Sequence, residues 1–576
     1  MSGAPRLVFL PVVGAVFLIL LPAQEQTAAD KPKEPSEEGI PVTHSLVVEK
    51  CGVCHKKDEK GNLSRISWER TTPEGWQQAI KRMVRLNGVD LTPEQGRVIV
   101  RYLSDHHGLA PEEARPALYV AERRMIDEPT PNESIRDACM TCHSLGRAMS
   151  WRRSREEWEL LLAMHRGYFP ASAASGLHRF PSPQPPNAPP PAAGTDTRPP
   201  ADRAVEYLAK TYPLHSPEWS AWRAGRRAPK LAGRWLVTGV QPGRGRIFGE
   251  MVIAPTAESE FFTASAKLFY AKEGKTTTRS SRALIYTGYA WRGRSESSEA
   301  GEPKEWREVM MVSREQSQME GRWFWGAYDE FGLDVTLRRA GSDSTVFGLS
   351  RTAFKAGATG ERVEIYGNNL PADLKPEDID FGSGVTVRQV LNPTPASVTV
   401  EVDVATAAIA GRRDVVVRGA AATAAFAVYD KIDYLKVMPE AAMARLGGAT
   451  HPKGFQQFEA IAYNRGPDNK PRTPDDVNLG PVDVNWSVEE FLAVYGDDDK
   501  DFVGTLSATG LFTPAREGPN PERKFGRNNY GDVWVVATLQ PKYGETGKDS
   551  KPLSGRAHLV VTIPLYVRWD QPEVAQ

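Results

Sequence analysis

A chain of 576 residues is too long to fold around a single core, and three to five domains are expected. Its 72 basic and 72 acidic side chains cancel, which argues against nucleic acid as a main partner, because phosphate binding shows as a basic surplus. The 49 glycines and 45 prolines suit many turns between short strands.

At the N-terminus, Arg6 precedes an apolar run from Leu7 to Leu21, and small residues follow. This is the layout of a secretory signal peptide, with cleavage after Ala23 or Ala29, and residues 1–29 are assigned to it. The run is short for a bilayer span and contains Pro11; its retention as an anchor is the alternative. No later segment has enough consecutive apolar residues to cross a bilayer, so the mature chain is expected to be exported, with no membrane span.

The four cysteines are Cys51, Cys54, Cys139 and Cys142, and all lie in two copies of one pattern, CGVCH (51–55) and CMTCH (139–143). C-x-x-C-H is the attachment signature of c-type haem. Two thiols three positions apart each add to one porphyrin vinyl group, and His55 or His143 then lies beneath the iron. Two covalently bound haems c are expected. A zinc site with four thiolates, or a pair of disulfides, also uses four cysteines, but leaves both histidines without a role.

A helical segment follows each motif, PEGWQQAIKRMVRLNG (73–88) and REEWELLLAMHRG (155–167). Aligning Trp76 with Trp158 matches Ala79 and Ile80 to Leu161 and Leu162, and places Met83 opposite His165. Each candidate ligand stands two turns beyond its tryptophan, on the same face. The register predicts Met83 as distal ligand of the first haem and His165 of the second, with Met164 the direct rival there and His178 a more distant one. His106 and His107 are the fallback for the first haem. VRYLSDHHGL (100–109) and VEYLAKTYPL (205–214) also match, as the closing helices of two cytochrome c modules, 40–112 and 113–228. The second copy carries a proline-rich insertion at 180–200, suited to polyproline II or disorder.

From residue 229 the texture changes to short alternating runs and turns. RWLVTGV, RIFGEMVI, AKLFYAKE and RALIYTGYAW (282–291) read as strands, continued by GRWFWGAY and LDVTLRRA, and 229–345 is expected to be a β-barrel or sandwich of seven or eight strands. Residues 346–430 have the rhythm of an immunoglobulin-like sandwich, and 431–576 are read as a second. The expected fold is therefore a mostly helical dihaem cytochrome c domain (40–228) followed by three antiparallel β domains. Asp497, Asp498, Asp499 and Asp501 form an acidic cluster of the kind that binds calcium or simply lines a solvated turn. No Ser/His/Asp arrangement, phosphate loop or paired-carboxylate motif is evident.

Two haem-c modules followed by three β domains resemble the α subunit of quinohemoprotein amine dehydrogenase. The most specific elements are CGVCH with the RM of IKRM, CMTCH with LLLAMHRGYFP, and VGTLSATGLFTP near the C-terminus; the proline-rich insertion departs from the family pattern. The resemblance implies a periplasmic heterotrimer with a β-propeller subunit and a small subunit carrying cysteine tryptophylquinone. It implies oxidation of primary amines to aldehyde and ammonia, with electrons leaving through one bis-His and one His/Met haem to a small copper protein or cytochrome c. A thioether cross-linked quinone needs a cysteine, and all four here are committed to haem, so the amine chemistry is expected on another chain. The other classes considered are a dihaem peroxidase, which needs an open iron position, an electron carrier for a different periplasmic dehydrogenase, and a scaffold with redox-sensing haems.

Overall fold

The computed structural model describes residues 37–118, 132–140, 145–169, 194, 196–258, 260–299, 305–326, 331–448, 452–492, 497–543 and 551–563. Residues 1–36, which include the segment expected to be a signal peptide, and Cys142, His143, His178 and the proline-rich insertion up to residue 193 lie outside the described residues. Among the described residues, no helix is long and apolar enough to cross a membrane.

The N-terminal part is helical: α1 Ser45–Cys51, α2 Pro73–Asn87, α3 Pro93–His106, α4 Pro111–Ala114, α5 Glu133–Cys139, α6 Gly146–Met149, α7 Arg155–Tyr168, α8 Pro200–Thr211 and α9 Pro217–Gly225. Capping residues set where the helices begin. Thr72 accepts the N–H of Gly75 at 3.3 Å to open α2, and Ser154 accepts that of Glu157 at 3.2 Å to open α7, each satisfying a donor that the first helical turn leaves unpaired. Gly88, left-handed at φ 66°, ends α2, a conformation that costs glycine nothing.

The duplication is written into matching hydrogen bonds. Trp76 Nε1 donates to the carbonyl of His107 at 2.9 Å, and Trp158 Nε1 donates to that of Tyr212 at 3.3 Å. His107 and Tyr212 are the residues that cap the closing helices α3 and α8. The same two carbonyls accept the backbone N–H of Thr71 at 3.0 Å and of Arg153 at 3.3 Å. Just before α2 and α7, strands β1 (Glu69–Thr71) and β2 (Trp151–Arg153) pair antiparallel, with Arg70 opposite Arg152. The offset that equates Trp76 with Trp158 also equates Arg70 with Arg152. Each module thus presents the same strand to the other, as across a local twofold axis.

At that axis Arg70, fully buried, forks onto Glu113 with two bonds of 2.8 Å, and Arg152 Nε lies 3.3 Å from the same carboxylate. Ser216 Oγ donates to Glu113 Oε1 at 2.7 Å. Burial raises the carboxyl of Glu113, but the bonds and charge of Arg70, with the charge of Arg152, outweigh it and hold the group down at about 2.

Helical packing is unequal between the halves. Trp76, Ile99 and Leu103 of the first module belong to one core continuous with the interior of the following barrel. The second module has its own core of Ile135, Trp158, Leu162, Val205 and Leu208. The barrel comprises β3 Gly233–Gln241, β4 Gly245–Pro255, β5 Phe261–Tyr270, β6 Lys275–Tyr286, β7 Ala290–Ser297, β8 Glu305–Val312, β9 Gln318–Trp325 and β10 Phe331–Arg339. Neighbours in sequence pair throughout and β10 closes on β3, which removes every edge. The run 282–291, read as one strand, is two, because Thr287 and Gly288 turn the chain at φ 56° and 76°. This turn grips the helices: Thr287 N–H donates to Asp105 Oδ1 at 2.6 Å, its hydroxyl to Ser104 O at 2.8 Å, and Trp222 Nε1 to Thr287 O at 3.1 Å. Arg292 of β7 forms a buried ion pair with Glu74 at the start of α2.

Beyond the barrel, two four-stranded sheets between residues 345 and 429 face each other over Phe354, Phe381, Phe426 and a run of valines. The last segment folds as sheets of three, four and three strands around Phe458, Phe512, Val535 and Leu559.

Removing Glu113 leaves two buried guanidinium groups without their shared counter-charge. Glu113→Gln is expected to cost about 3–5 kcal/mol, the scale for breaking a buried ion pair, measured by chemical denaturation. Because the folded-state carboxyl is depressed, its stabilisation is present above about pH 4.5 and is lost as the pH falls toward 2. The wild-type midpoint should therefore decline more steeply than the variant's across that window; parallel curves would assign the acid transition to other groups.

Candidate haem sites

The first motif closes α1. Cys51 is its last residue, and the N–H groups of Cys54 and His55 both donate to Cys51 O, at 3.2 and 2.9 Å, so CGVCH is wound as a helical turn. His55 Nδ1 lies 2.7 Å from the carbonyl oxygen of Ser64. A carbonyl only accepts, so Nδ1 carries the proton and Nε2 keeps its lone pair, the tautomer an iron ligand needs. Cys54 is exposed and Val53 between the cysteines is 84% exposed, so the motif lies at the surface.

Met83 is half-buried on α2, on the face it shares with Trp76 and Ile80. Asn87 Nδ2 lies 3.7 Å from its sulfur. One lone pair is engaged by that donor and a second remains for a metal. His106 stacks on Tyr102 with ring centroids 4.5 Å apart. His107 is fully buried and edge-on to Trp76 at 6.1 Å, and burial, then His106, push its imidazole down to about 3. Its position matches Tyr212 of the second module, and its carbonyl holds Trp76, so a packing role accounts for it.

In the second module Cys139 ends α5 and is half-buried; Cys142 and His143 lie outside the described residues. On α7, His165 Nδ1 lies 2.9 Å from Leu161 O, one helical turn back. The same reasoning puts the proton on Nδ1 and the lone pair on Nε2. Burial lowers the His165 imidazole from its ordinary value, although the Leu161 carbonyl opposes the shift, and the charges of Arg153, Arg82 and Arg147 deepen it. His165 and Met164 both line a cavity of about 300 Å³, with Trp151, Trp158, Leu161 and Phe169 among its walls. Aromatic and aliphatic walls, an imidazole and arginines around them fit a flat apolar macrocycle with carboxylates at its edge.

Beside this cavity runs a charged chain that sequence reasoning missed. Arg65 Nε donates to Glu157 Oε2 at 2.5 Å, Arg153 pairs with Glu69, and its guanidinium stacks 4.1 Å over Trp151. Burial and then Glu69 raise the Glu157 carboxyl against the pull of Arg65 and Arg153.

Other chemistries fit less well. Burial pushes the Cys51 and Cys139 thiols up to about 11, so without a metal both are protonated thiols at neutral pH. Among the described residues, the one group of three or more converging metal donors is Asp497, Asp498 and Asp499, so Cys51, Cys54 and Cys139 do not gather at a shared site. The acidic trio already holds cations of its own. Arg527 Nη2 lies 2.7 Å from Asp497 and 2.5 Å from Asp498, and Arg523 lies 2.9 Å from Asp498 and also pairs with Asp499. Asp501 turns to Lys500 at 2.6 Å.

Sequence models of the quinohemoprotein amine dehydrogenase α subunit match the chain in four consecutive segments. They are the haem-binding domain over 42–180, domain II over 228–340, domain III over 343–430 and domain IV over 435–574. The chain belongs to this family. The family is part of an amine dehydrogenase, an oxidoreductase complex, and the matched N-terminal domain binds haem. No curated protein matches the chain. Among solved structures, a redesigned β barrel is 16% identical over 20% of this chain and 97% of its own, with a TM-score of 0.18. Human protocadherin-24 EC1-2 is 13% identical over 38% of this chain and 96% of its own, with a TM-score of 0.15. Scores this low carry no argument.

Because Arg523 and Arg527 occupy the place of a cation among the three aspartates, neither added calcium nor EDTA should move the thermal midpoint. A rise with calcium would show that the ion displaces the guanidinium groups.

Proposed function

We propose that the chain is the dihaem electron-transfer subunit of a periplasmic quinohemoprotein amine dehydrogenase, relaying electrons from a quinone on a partner subunit to a small external redox protein. The observation that carries this reading is the pair of matched modules. Each has a C-x-x-C-H motif and a tryptophan-anchored helix, and those helices bring Met83 and His165 to the same register. Covalent attachment is assigned to Cys51 and Cys54 for one haem and to Cys139 and Cys142 for the other. The iron ligands are His55 with Met83, and His143 with His165. Bound haem supplies one-electron redox chemistry, which suits a two-electron quinone donor emptied in single steps.

The chain's own residues hold these ligands in place. Ser64 O and Leu161 O fix the tautomers of His55 and His165, and Asn87 turns the Met83 sulfur. Trp76 and Trp158 pin α2 and α7 to the ends of the closing helices, which keeps the distal side chains from swinging. A thioether favours reduced iron more than a second imidazole does, so the first site has the higher potential, and this sets a direction for electron flow. The leader assigns the chain to the periplasm. The two C-terminal β domains are read as immunoglobulin-like sandwiches that dock the β-propeller subunit and the small subunit bearing cysteine tryptophylquinone. A copper protein or cytochrome c is the assigned acceptor.

Low-temperature EPR of the oxidised protein tests the ligand set. Two low-spin ferric signals are expected, with one turned high-spin by Met83→Ala and the other by His165→Ala. A high-spin signal in the wild type would mean an open iron position, and the peroxidase reading would replace this one.

A further inference from the structure

α2 has two working faces. Trp76 and Ile80 lie on one, packed into the core of the first module. Gly75, Ala79, Arg82 and Leu86 recur at helical spacing on the next face, and they form one wall of the cavity that holds His165. The first module therefore completes the cavity of the second. Glycine and alanine keep that wall low, and Arg82 is the charge α2 adds to it.

Arg147 and Arg153 reach the same cavity. Arg153 already has a counter-charge in Glu69. Arg82 is half-buried, and among the described residues no ion pair or hydrogen bond engages it. A guanidinium partly withdrawn from water beside apolar walls is costly unless an anion joins it. A haem carries two carboxylates, and the planar fork of arginine matches a carboxylate with two parallel bonds.

We propose that Arg82 is a binding residue for the second haem, pairing its guanidinium with a haem carboxylate across the boundary between the modules. The inference rests on the assignment of His165 as a ligand of that haem. A fixed positive charge beside the group stabilises the electron-rich reduced state, so the side chain also helps set the potential of the second site.

The test is a spectroelectrochemical titration of the full, haem-loaded chain, wild type against Arg82→Gln, Arg82→Lys and Arg85→Gln, a charge-loss control one turn further along α2 that lines a different cavity. Arg82→Gln should shift the equilibrium of the second haem about tenfold toward the oxidised form, about 59 mV for a one-electron couple. Arg82→Lys should recover most of the shift, and Arg85→Gln should leave the second haem unchanged. Selective loss of the second haem from Arg82→Gln, with retention in Arg82→Lys, supports the same pairing. Unchanged midpoints in Arg82→Gln with both haems bound overturn the proposal, as does a shift confined to the haem that responds to Met83→Ala. Failure of the underlying ligand assignment shows separately, as one haem per chain in the wild type or as a His165→Ala protein with an unaltered spectrum.

Discussion

One buried carboxylate organises the helical half of this protein. Glu113 sits between Arg70 and Arg152, and those arginines spend their remaining donors on backbone that must be held. Arg70 donates to Leu214 O at 2.6 Å and to Gly108 O at 3.0 Å, just past the closing helices of the second and first modules. Arg152 donates to Met149 O and Trp151 O, at the approach to the second cavity. Three charges buried together are tolerable only because every fork of the guanidinium groups is met. The arrangement fixes α2 against α7, and the wall of the second cavity depends on that placement.

The barrel acts on the same helices from the other side. Its turn at Thr287 binds the end of α3 through Asp105 and Ser104 and receives Trp222 of α9, while Arg292 holds the start of α2. A closed barrel is a stiff support, since it has no edge to fray. The first site is thus anchored at both ends of its helical frame. In the second module α9 joins that shared core through Trp219 and Trp222, whereas α5, α7 and α8 pack in a core of their own.

What the sequence reveals here is the local part. The two cysteine motifs, the tryptophan register and the β texture after residue 229 are all carried by short spacings, and the structure places Trp76 and Trp158 in equivalent bonds. The contacts that join distant segments left no periodicity to read. Pairing of β1 with β2 involves three residues per strand, Glu113 looks like any acidic residue in PEEA, and the cavity-facing side of α2 is disguised by Gln78 and Arg82 among apolar neighbours. The turn at Thr287 was hidden because alternation continues across it. The acidic run near 497 drew attention for its composition, yet its counter-charges, Arg523 and Arg527, stand more than twenty positions away in the chain.

A strand that pairs with its own counterpart has a meaning beyond this fold. Two separate copies of one such module would associate in that way, each offering its β-strand and arginine to the other across a true symmetry axis. In one chain the halves need not be alike: a single acid, Glu113, serves both arginines, and the same helical position holds methionine in one half and histidine in the other. Within one chain the two halves meet with the geometry of a homodimer whose subunits are unlike.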